Sequence, residues 1–383
     1  MCDILKHTTM KTGDKAMKKI HRTLSLFTVA AMCTALLCSC GEVPDSSRTD
    51  SSSKAATTTT ADTTADTTTT GEASSTASAT SAPDSSVSDS SSAVTDDTKT
   101  NGITPAMWKV TSPEGNTMVM LGSFHALKDE CYPLPEAVTN AYNNADILAV
   151  ECDITSTSED GEYMKNLMKQ MLYNDNTKLS QHISEEAYSA LQTYLGYWGM
   201  DISALEVYRP WAVSSTLDTL LIQDSDFDTE KGLDNFLLTT AHADGKEIYE
   251  VESVDFQMNM LINFSDDIYD LMFRSYEGET KESQKQALED LYTAWKSGDI
   301  ETFLEEDNEE ELAGYTEEDK KIAEDYNNQM LYDRNKNMAK AAEDLMSQGK
   351  NVFYVVGAAH YAGEGGIIDL LEKDGYTAER VQY

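Results

Sequence analysis

The sequence predicts an α/β fold, a single large domain with a mixed central sheet and a helical insertion, which follows a disordered tether. Two apolar runs, at residues 147–152 and 352–357, have the length and composition of buried strands. Helical patterns fill most of the chain between them. The part after position 103, about 280 residues, has the size of one large domain.

The individual elements follow from local patterns. Residues 108–110 and 118–121 flank the turn PEGN at 113–116, which predicts a hairpin. A further strand is predicted at 247–252 (EIYEVE). Helices are predicted at 185–195 with Ser184 as N-cap, at 233–243 ending near Gly245, at 283–296, and over 317–347 with one break.

Residues 1–39 resemble a lipoprotein signal peptide. A basic segment at 18–22 precedes an apolar run of about 14 residues, shorter than the ~20 of a membrane-spanning helix. The chain then reads Leu-Cys-Ser-Cys at 37–40, similar to the lipobox of bacterial lipoproteins. This pattern predicts lipidation of Cys40 and contact with the membrane through the lipid anchor only. An ordinary secretory signal or a plain membrane anchor is the alternative.

Residues 40–103 are rich in Ser, Thr, Asp and Ala and contain no aromatic residue and no Leu. Such a composition cannot bury enough apolar area to offset the entropy of ordering the chain. We therefore predict a disordered tether between the anchor and a folded domain at 104–383. A tether of this length suits a protein held at the extracellular face of the cell membrane.

The charge balance excludes one class of partner. The chain has 29 Lys and Arg against 67 Asp and Glu, a formal net charge of −38. Because such a chain repels phosphate groups, we expect no nucleic-acid partner.

Only Cys131 and Cys152 follow Cys40, so a disulfide framework is excluded. They are either one disulfide or two small buried side chains, and we favour the second.

Two histidines occur in the same setting. His125 and His360 each end a Gly-x-x-His motif that follows an apolar strand, MVML and VFYVV respectively. Both imidazoles are therefore expected at the carboxyl ends of strands, where open α/β sheets build their sites. The alternative is two histidines that only cap strand ends. His182 and His242 lie beside or within predicted helices, and we expect no direct chemical role for them.

Acidic residues also follow predicted strands. Glu151 comes directly after residues 147–150, Asp153 lies two positions later, and Glu252 ends the run at 247–252. Two imidazoles with one or two carboxylates could hold a divalent ion such as Zn, Mn or Co, and a remaining Glu could serve as general base. Arg334 is either a salt-bridge partner or, if it faces the strand ends, a stabiliser of a developing oxyanion.

These motifs resemble those of the TraB/GumN family, which includes the animal TIKI proteins. The segments LGSFH at 121–125 and VGAAH at 356–360 look like the family's paired Gly-x-x-His motifs. Further similar segments are ADILAVE at 145–151, RPWAVSSTL at 209–217, GLDNFLL at 232–238, Gln257, and DRNKNMA at 333–339. The resemblance covers residues 104–383 and includes the long closing run at 355–376.

The resemblance implies a surface-anchored, metal-dependent peptidase-like hydrolase that acts on extracellular peptides. It implies Mn, Co or Zn as cofactor. The implied ligands are His125, His360 and Glu151, the last as ligand or base. The implied catalytic residues are Glu252, Arg334 and Asn335. A non-catalytic protein that sequesters a peptide pheromone and a metal-independent, esterase-like hydrolase are the alternatives. The chain has no HExxH motif and is therefore not an ordinary zincin.

Overall fold

The computed structural model describes residues 102–155, 161–304 and 315–383. The predicted signal peptide, Cys40 and nearly all of the predicted tether lie outside the described residues. Six strands form one sheet in the order β4-β3-β5-β2-β1-β6. They are β1 (Met107–Thr111), β2 (Thr117–Ser123), β3 (Ile147–Val150), β4 (Glu247–Glu250), β5 (Val352–Gly357) and β6 (Thr377–Arg380).

The sheet is mixed. The strands β4, β3, β5 and β2 run parallel, whereas β1 pairs antiparallel with both β2 and β6. The β1–β2 pair is the hairpin predicted around residues 113–116. The strands β3 and β5 are buried along their whole length, which explains their continuous apolar sequences. The predicted α/β class with a mixed central sheet is confirmed.

The helices lie between the strands in sequence and supply most of the remaining core. In the described part of the chain they are α1 (Glu136–Asn144), α2 (Gly161–Gln170), α3 (Glu185–Gly196), α4 (Pro210–Gln223), α5 (Leu233–Asp244), α6 (Val254–Asn263), α7 (Asp266–Arg274), α8 (Lys281–Ser297), α9 (Glu317–Asn327), α10 (Asp333–Met346) and α11 (Ile367–Lys373). None of these helices has both the length and the apolar character needed to cross a membrane.

Local capping chemistry confirms several predicted helix ends. The Ser184 hydroxyl accepts a hydrogen bond from the backbone N–H of Ala187 at 3.1 Å and so caps α3. Gly245 ends α5 in the left-handed conformation, with φ of 67°. The break predicted within 317–347 is a π-helical turn, Asn328–Tyr332, which joins α9 to α10.

The register of the parallel strands brings their carboxyl ends to one edge of the sheet. Ser123 at the end of β2 pairs with Gly357 at the end of β5. On the other side of β5, Val150 at the end of β3 pairs with Val355, and Val150 also pairs with Glu250 of β4. Residues that follow these four strands therefore emerge close together.

Both cysteines of the folded part are free and buried, as we favoured from the sequence. The Cys131 thiol contacts the Tyr292 hydroxyl at 3.1 Å, and the Cys152 thiol donates to the Gln257 side-chain oxygen at 3.3 Å. They act as small packing groups with weak hydrogen bonds.

Candidate active site

The four parallel strand ends bring the predicted site residues together. His125 comes two residues after β2, Glu151 directly follows β3, and Glu252 lies two residues beyond β4. His360 lies in the single 3₁₀ turn Ala358–Tyr361 that follows β5. Glu252 was expected at the end of its strand. The strand stops at Glu250, although the backbone N–H of Glu252 still donates to the Glu151 carbonyl at 2.8 Å.

Gly357 marks the centre of this cluster. A Cβ atom added to Gly357 would lie 3.1 Å from Glu151 Oε1, 3.6 Å from His125 Nε2 and 3.6 Å from His360 Cδ2. The backbone N–H of Gly357 donates to Glu151 Oε1 at 2.7 Å. A side chain at this position would press on the Glu151 carboxylate, whereas the two imidazole atoms lie at ordinary van der Waals distance from it.

His125 is oriented by a carboxylate. Its Nδ1 donates to Asp234 Oδ2 at 2.8 Å, and Asp234 lies in the first turn of α5. The start of that helix is pressed against the His125 loop, since a Cβ on Gly232 would lie 2.1 Å from the His125 carbonyl oxygen. Burial opposes a charged imidazole, but the Asp234 carboxylate outweighs it and raises the pKa of His125 to about 9. The Nε2 atom is left facing the cluster.

His360 is oriented by an amide. Its ring is only 4 % exposed, and Nδ1 donates to the side-chain oxygen of Asn335 at 2.6 Å. The Asn335 amide is held in turn, because its Nδ2 donates to the Gly365 carbonyl at 2.9 Å. Burial and then the positive charge of Arg334 lower the pKa of His360 to about 3. His360 is therefore neutral, with its proton on Nδ1 and a free lone pair on Nε2.

A buried guanidinium joins the two carboxylates. Arg334, 5 % exposed, donates from Nη2 to Glu151 at 2.6 Å and from Nη2 and Nε to Glu252 at 2.8 and 2.9 Å. Its Nη1 donates to the carbonyl of Met330 in the π-helical turn at 3.1 Å. The Gln257 amide donates to both carboxylates, at 2.9 Å to Glu151 and 2.7 Å to Glu252. Arg334 therefore faces the strand ends and there forms salt bridges with both carboxylates.

This network keeps Glu151 ionised. Burial favours the neutral carboxyl, but Arg334 and the two histidines outweigh that cost and hold the pKa of Glu151 well below its usual range. The same carboxylates raise the pKa of Arg334 against the effect of burial. The site therefore contains a permanent carboxylate whose position is fixed from several directions.

The donor atoms suit a divalent cation. Glu151 Oε1 and His360 Nε2 lie 3.6 Å apart, and both present lone pairs. Two ligands of one tetrahedral ion lie roughly 3.5 Å apart, so this pair has a ligand-like spacing. The described residues nevertheless include no group of three or more His, Cys, Asp or Glu side chains already closed around a cation position. The donor atoms of Glu151 and His360 therefore fit a divalent cation in chemical type and in spacing.

The two remaining histidines of the described chain pair with other acids. His182 Nδ1 donates to Asp266 Oδ2 at 2.7 Å, and the ring stacks on Tyr173 with centroids 4.3 Å apart. His242 contacts Asp153 at 2.7 Å. These pairs fasten helices and loops and explain why neither imidazole takes part in the cluster.

Two further residues of the site, Asp234 and Gln257, had no role predicted from the sequence. Asp234 has a weak local signal, an acid in the first turn of a helix directly after Gly232. Gln257 belongs to a segment that resembles the family but carries no chemical signal of its own. Both residues contact a partner more than a hundred positions away in the chain. The spacing of residues in the sequence does not reveal such contacts.

An α/β protein with a polar cluster at the carboxyl ends of parallel strands has the layout of a ligand-binding or catalytic protein. The chain belongs to the TraB/PrgY/gumN family, whose model matches residues 106–380. This finding confirms the resemblance inferred from the paired motifs.

Curated relatives include proteins named metalloproteases. The chain is 25 % identical over 293 residues to a metalloprotease TIKI homolog of Nematostella vectensis, covering 65 % of this chain and 61 % of the relative. It is 26 % identical over 157 residues to the uncharacterized protein YbaP of Escherichia coli (strain K12), covering 41 % of this chain and 56 % of the relative. The chain thus spans about three fifths or less of these relatives. No solved structure matches it.

Proposed function

We propose that this protein is a metal-dependent, peptidase-like hydrolase. One observation carries the proposal: His125, His360 and Glu151 surround a single point at Gly357, and each imidazole is oriented through its Nδ1. Metal-ligating histidines characteristically donate their second ring nitrogen to a carboxylate or carbonyl oxygen in this way. The metalloprotease relatives support the same reaction class at low identity.

The roles of the residues follow from their contacts. A divalent ion held by His125, His360 and Glu151 would supply Lewis-acid activation of a peptide carbonyl or a water molecule. Asp234 and Asn335 hold the imidazole rings through Nδ1, which leaves His125 Nε2 near Gly357 and His360 Nε2 3.6 Å from Glu151 Oε1. His125 would give up its Nε2 proton when it becomes a ligand.

Arg334 and Gln257 position the two carboxylates of the site. Arg334 and Gln257 hold Glu151 and Glu252 in fixed orientations, which prevents either carboxylate from turning away. In this arrangement Arg334 and Asn335 are positioning residues. Glu252 is the second carboxylate of the site, and we assign it the support of Glu151 through the shared guanidinium and amide.

Hydrolysis of a peptide pool tests the proposal. The purified full-length protein is incubated with mixed peptides and Mn²⁺, Co²⁺ or Zn²⁺, and products are identified by mass spectrometry. We expect new cleavage products that disappear with a strong chelator and return when metal is restored. The double variant His125→Ala/His360→Ala should yield none.

The matched control removes the other two histidines. The double variant His182→Ala/His242→Ala loses the same number of imidazoles outside the cluster and should keep the products. Saturable peptide binding without products would support a sequestering protein instead. Turnover that survives both the chelator and the loss of His125 and His360 would support a metal-independent hydrolase.

We further propose that the protein acts at the extracellular face of the cell membrane, held by a lipid on Cys40. The signal-like segment and the polar stretch at 40–103 support this location. Metabolic labelling with a fatty acid should mark the wild type and the Cys38→Ser variant, whereas Cys40→Ser should be unlabelled. An equally labelled Cys40→Ser variant would contradict the anchor.

A further inference from the structure

A second cavity adjoins the candidate active site. His125 and Gly357 line both this cavity and the one that contains Glu151, Arg334 and His360. A group bound in the second cavity would therefore lie next to the point where the imidazoles and the carboxylate meet. This is the relation expected between a specificity pocket and the reacting centre.

The walls of the second cavity are mostly apolar, with a carboxyl group among them. Asp218 of α4 is 5 % exposed, and its Oδ2 has no hydrogen-bond partner in the described chain; the Ser123 hydroxyl is likewise unpartnered. The main apolar wall residues are Phe124, Leu221, Ile222 and Leu288. An unpaired carboxyl in such surroundings is costly, so a fold that retains it has a use for it.

A second acid at the end of the same helix shows how unusual Asp218 is. Asp224, at the carboxyl end of α4, is paired with Lys281 and Lys285 of α8. Burial raises the pKa of Asp218 well above its usual range, and no cation of the described chain opposes this effect. The fold therefore supplies a partner for the exposed acid and leaves the buried one without a counter-ion.

We propose that this cavity is a specificity pocket that takes a cationic nitrogen on an apolar arm, the side chain of Lys or Arg in a peptide, with Asp218 as its ionic partner. The inference rests on the proposed function, since it names the substrate class of that site. The apolar walls suit the methylene arm, and the Ser123 oxygen offers a second acceptor for the N–H groups. An ammonium or guanidinium there would turn an unpaired carboxyl into a buried, hydrogen-bonded ion pair.

Small probes test the pocket without reference to hydrolysis. n-Butylammonium and n-butylguanidinium imitate the two side chains, and n-butanol is the neutral control of similar size. By NMR titration, at least one cation should bind roughly tenfold or more tightly than n-butanol to the wild type. Asp218→Asn and Asp218→Leu should abolish that preference, while Asp224→Asn should retain it.

Two different variants at position 218 are used so that the misfolding of one cannot be mistaken for the loss of the pocket. Thermal unfolding shows whether each variant is folded. Asp218→Leu, which replaces the unpaired buried carboxyl by an apolar group of similar size, should leave the melting temperature unchanged or higher. Equal binding of the cations and n-butanol to the wild type, or a preference that survives both Asp218 variants, would overturn the inference. The relative strength of the two cations identifies which basic side chain the pocket takes.

Matched peptides link the pocket to the reaction. A peptide with Lys and its counterpart with norleucine at the same position are offered to the wild type and to Asp224→Asn, and both proteins should cleave the Lys peptide about 10²-fold faster. Cleavage of both peptides at equal rates would overturn the pocket and leave the hydrolase standing. Selective cation binding without cleavage of any peptide would refute the hydrolase and leave the pocket standing.

Discussion

The two Gly-x-x-His histidines occupy equivalent positions but opposite electrostatic environments. Each follows a parallel strand, and His125 Nε2 and His360 Cδ2 both lie 3.6 Å from the position of a Cβ atom on Gly357. His125 donates to a carboxylate, and its pKa is raised to about 9, whereas His360 donates to an amide, and its pKa is lowered to about 3. The motif places each imidazole; against the effect of burial the Asp234 carboxylate raises the pKa of His125, whereas burial and the charge of Arg334 lower the pKa of His360.

The elements that supply the Nδ1 partners account for the charged neighbour of His125 and the uncharged neighbour of His360. Asp234 comes from the first turn of α5 and brings a negative charge to His125. Asn335 comes from α10, next to Arg334, and brings no charge to His360. One site thus contains an imidazole that holds a proton and another that exposes a lone pair, so a cation shared by both rings would displace the Nε2 proton of His125.

Removal of Arg334 should have the largest effect, because Arg334 is the buried cation that pairs with both Glu151 and Glu252. Arg334→Met keeps the volume but leaves Glu151 and Glu252 buried without their cation. We expect a loss of about 3–5 kcal/mol in the free energy of unfolding, measured with urea. Lys336→Met, on the same helix with a side chain 65 % exposed, should change it by less than ~0.5 kcal/mol. Equal losses would contradict a buried ion cluster.

Giving each histidine the kind of Nδ1 partner that the other has should move the two pKa values toward each other. In Asp234→Asn the pKa of His125 should fall from about 9 toward its ordinary value of 6.5, and in Asn335→Asp the pKa of His360 should rise from about 3. NMR titration of the metal-free protein measures both values. If neither pKa moves, the partners do not set the charge of the histidines.

The pKa shifts of the two histidines also determine how the stability of the folded protein depends on pH. The folded-state pKa of His125 lies above its unfolded value, so its pairing with Asp234 stabilises fully below pH 6.5 and is lost as the pH rises through about 9. The folded-state pKa of His360 lies below its unfolded value, so its burial destabilises progressively as the pH falls from 6.5 toward 3. Thermal melts of Asp234→Asn should lack the alkaline loss.

Filling the shared centre should impair hydrolysis more than stability. Gly357→Ala places a methyl group 3.1 Å from Glu151 Oε1 and 3.6 Å from His125 Nε2, while the φ of −51° suits alanine. We expect peptide hydrolysis to fall by about 10²-fold, because small misplacements of reacting groups are costly. Gly196→Ala, with no atom within 4 Å of the added Cβ, is the control. Full activity in Gly357→Ala would place the reaction elsewhere.

Removal of His182, one of the two described histidines outside the cluster, should have the smallest effect on hydrolysis. His182→Ala removes a contact to Asp266 and a stack on Tyr173, so we expect a loss of about 1 kcal/mol of stability with hydrolysis unchanged. Calorimetric unfolding and the peptide assay measure the two effects. A large loss of hydrolysis in a folded His182→Ala protein would show that the site extends beyond the strand ends.

The sequence predicted the fold and the positions of the main site residues because these depend on local patterns. Apolar runs identified β3 and β5, and the motifs that follow them placed Glu151 and His360 at one edge. The Nδ1 partners were not predictable in the same way. Asp234 reaches His125 across 109 residues, so neither the pairing nor the resulting pKa leaves a local trace.

The internal structure of the C-terminal helical region shows a similar limit. One break within 317–347 was predicted, whereas the π-helical turn that offers the Met330 carbonyl to Arg334 was not. Likewise, Asp218 looks in sequence like any acid on a helix. Only the packing of β2, α4 and α8 around it makes it a buried, unpaired carboxyl.

Metal binding by the two motif histidines tests the central claim most directly. Calorimetric titration of chelator-treated protein with Mn²⁺, Co²⁺ or Zn²⁺ should show a single ion bound by the wild type and by His182→Ala/His242→Ala. His125→Ala/His360→Ala should show no such binding. Identical binding by the two double variants, or none by the wild type, would contradict the claim that these imidazoles share an ion.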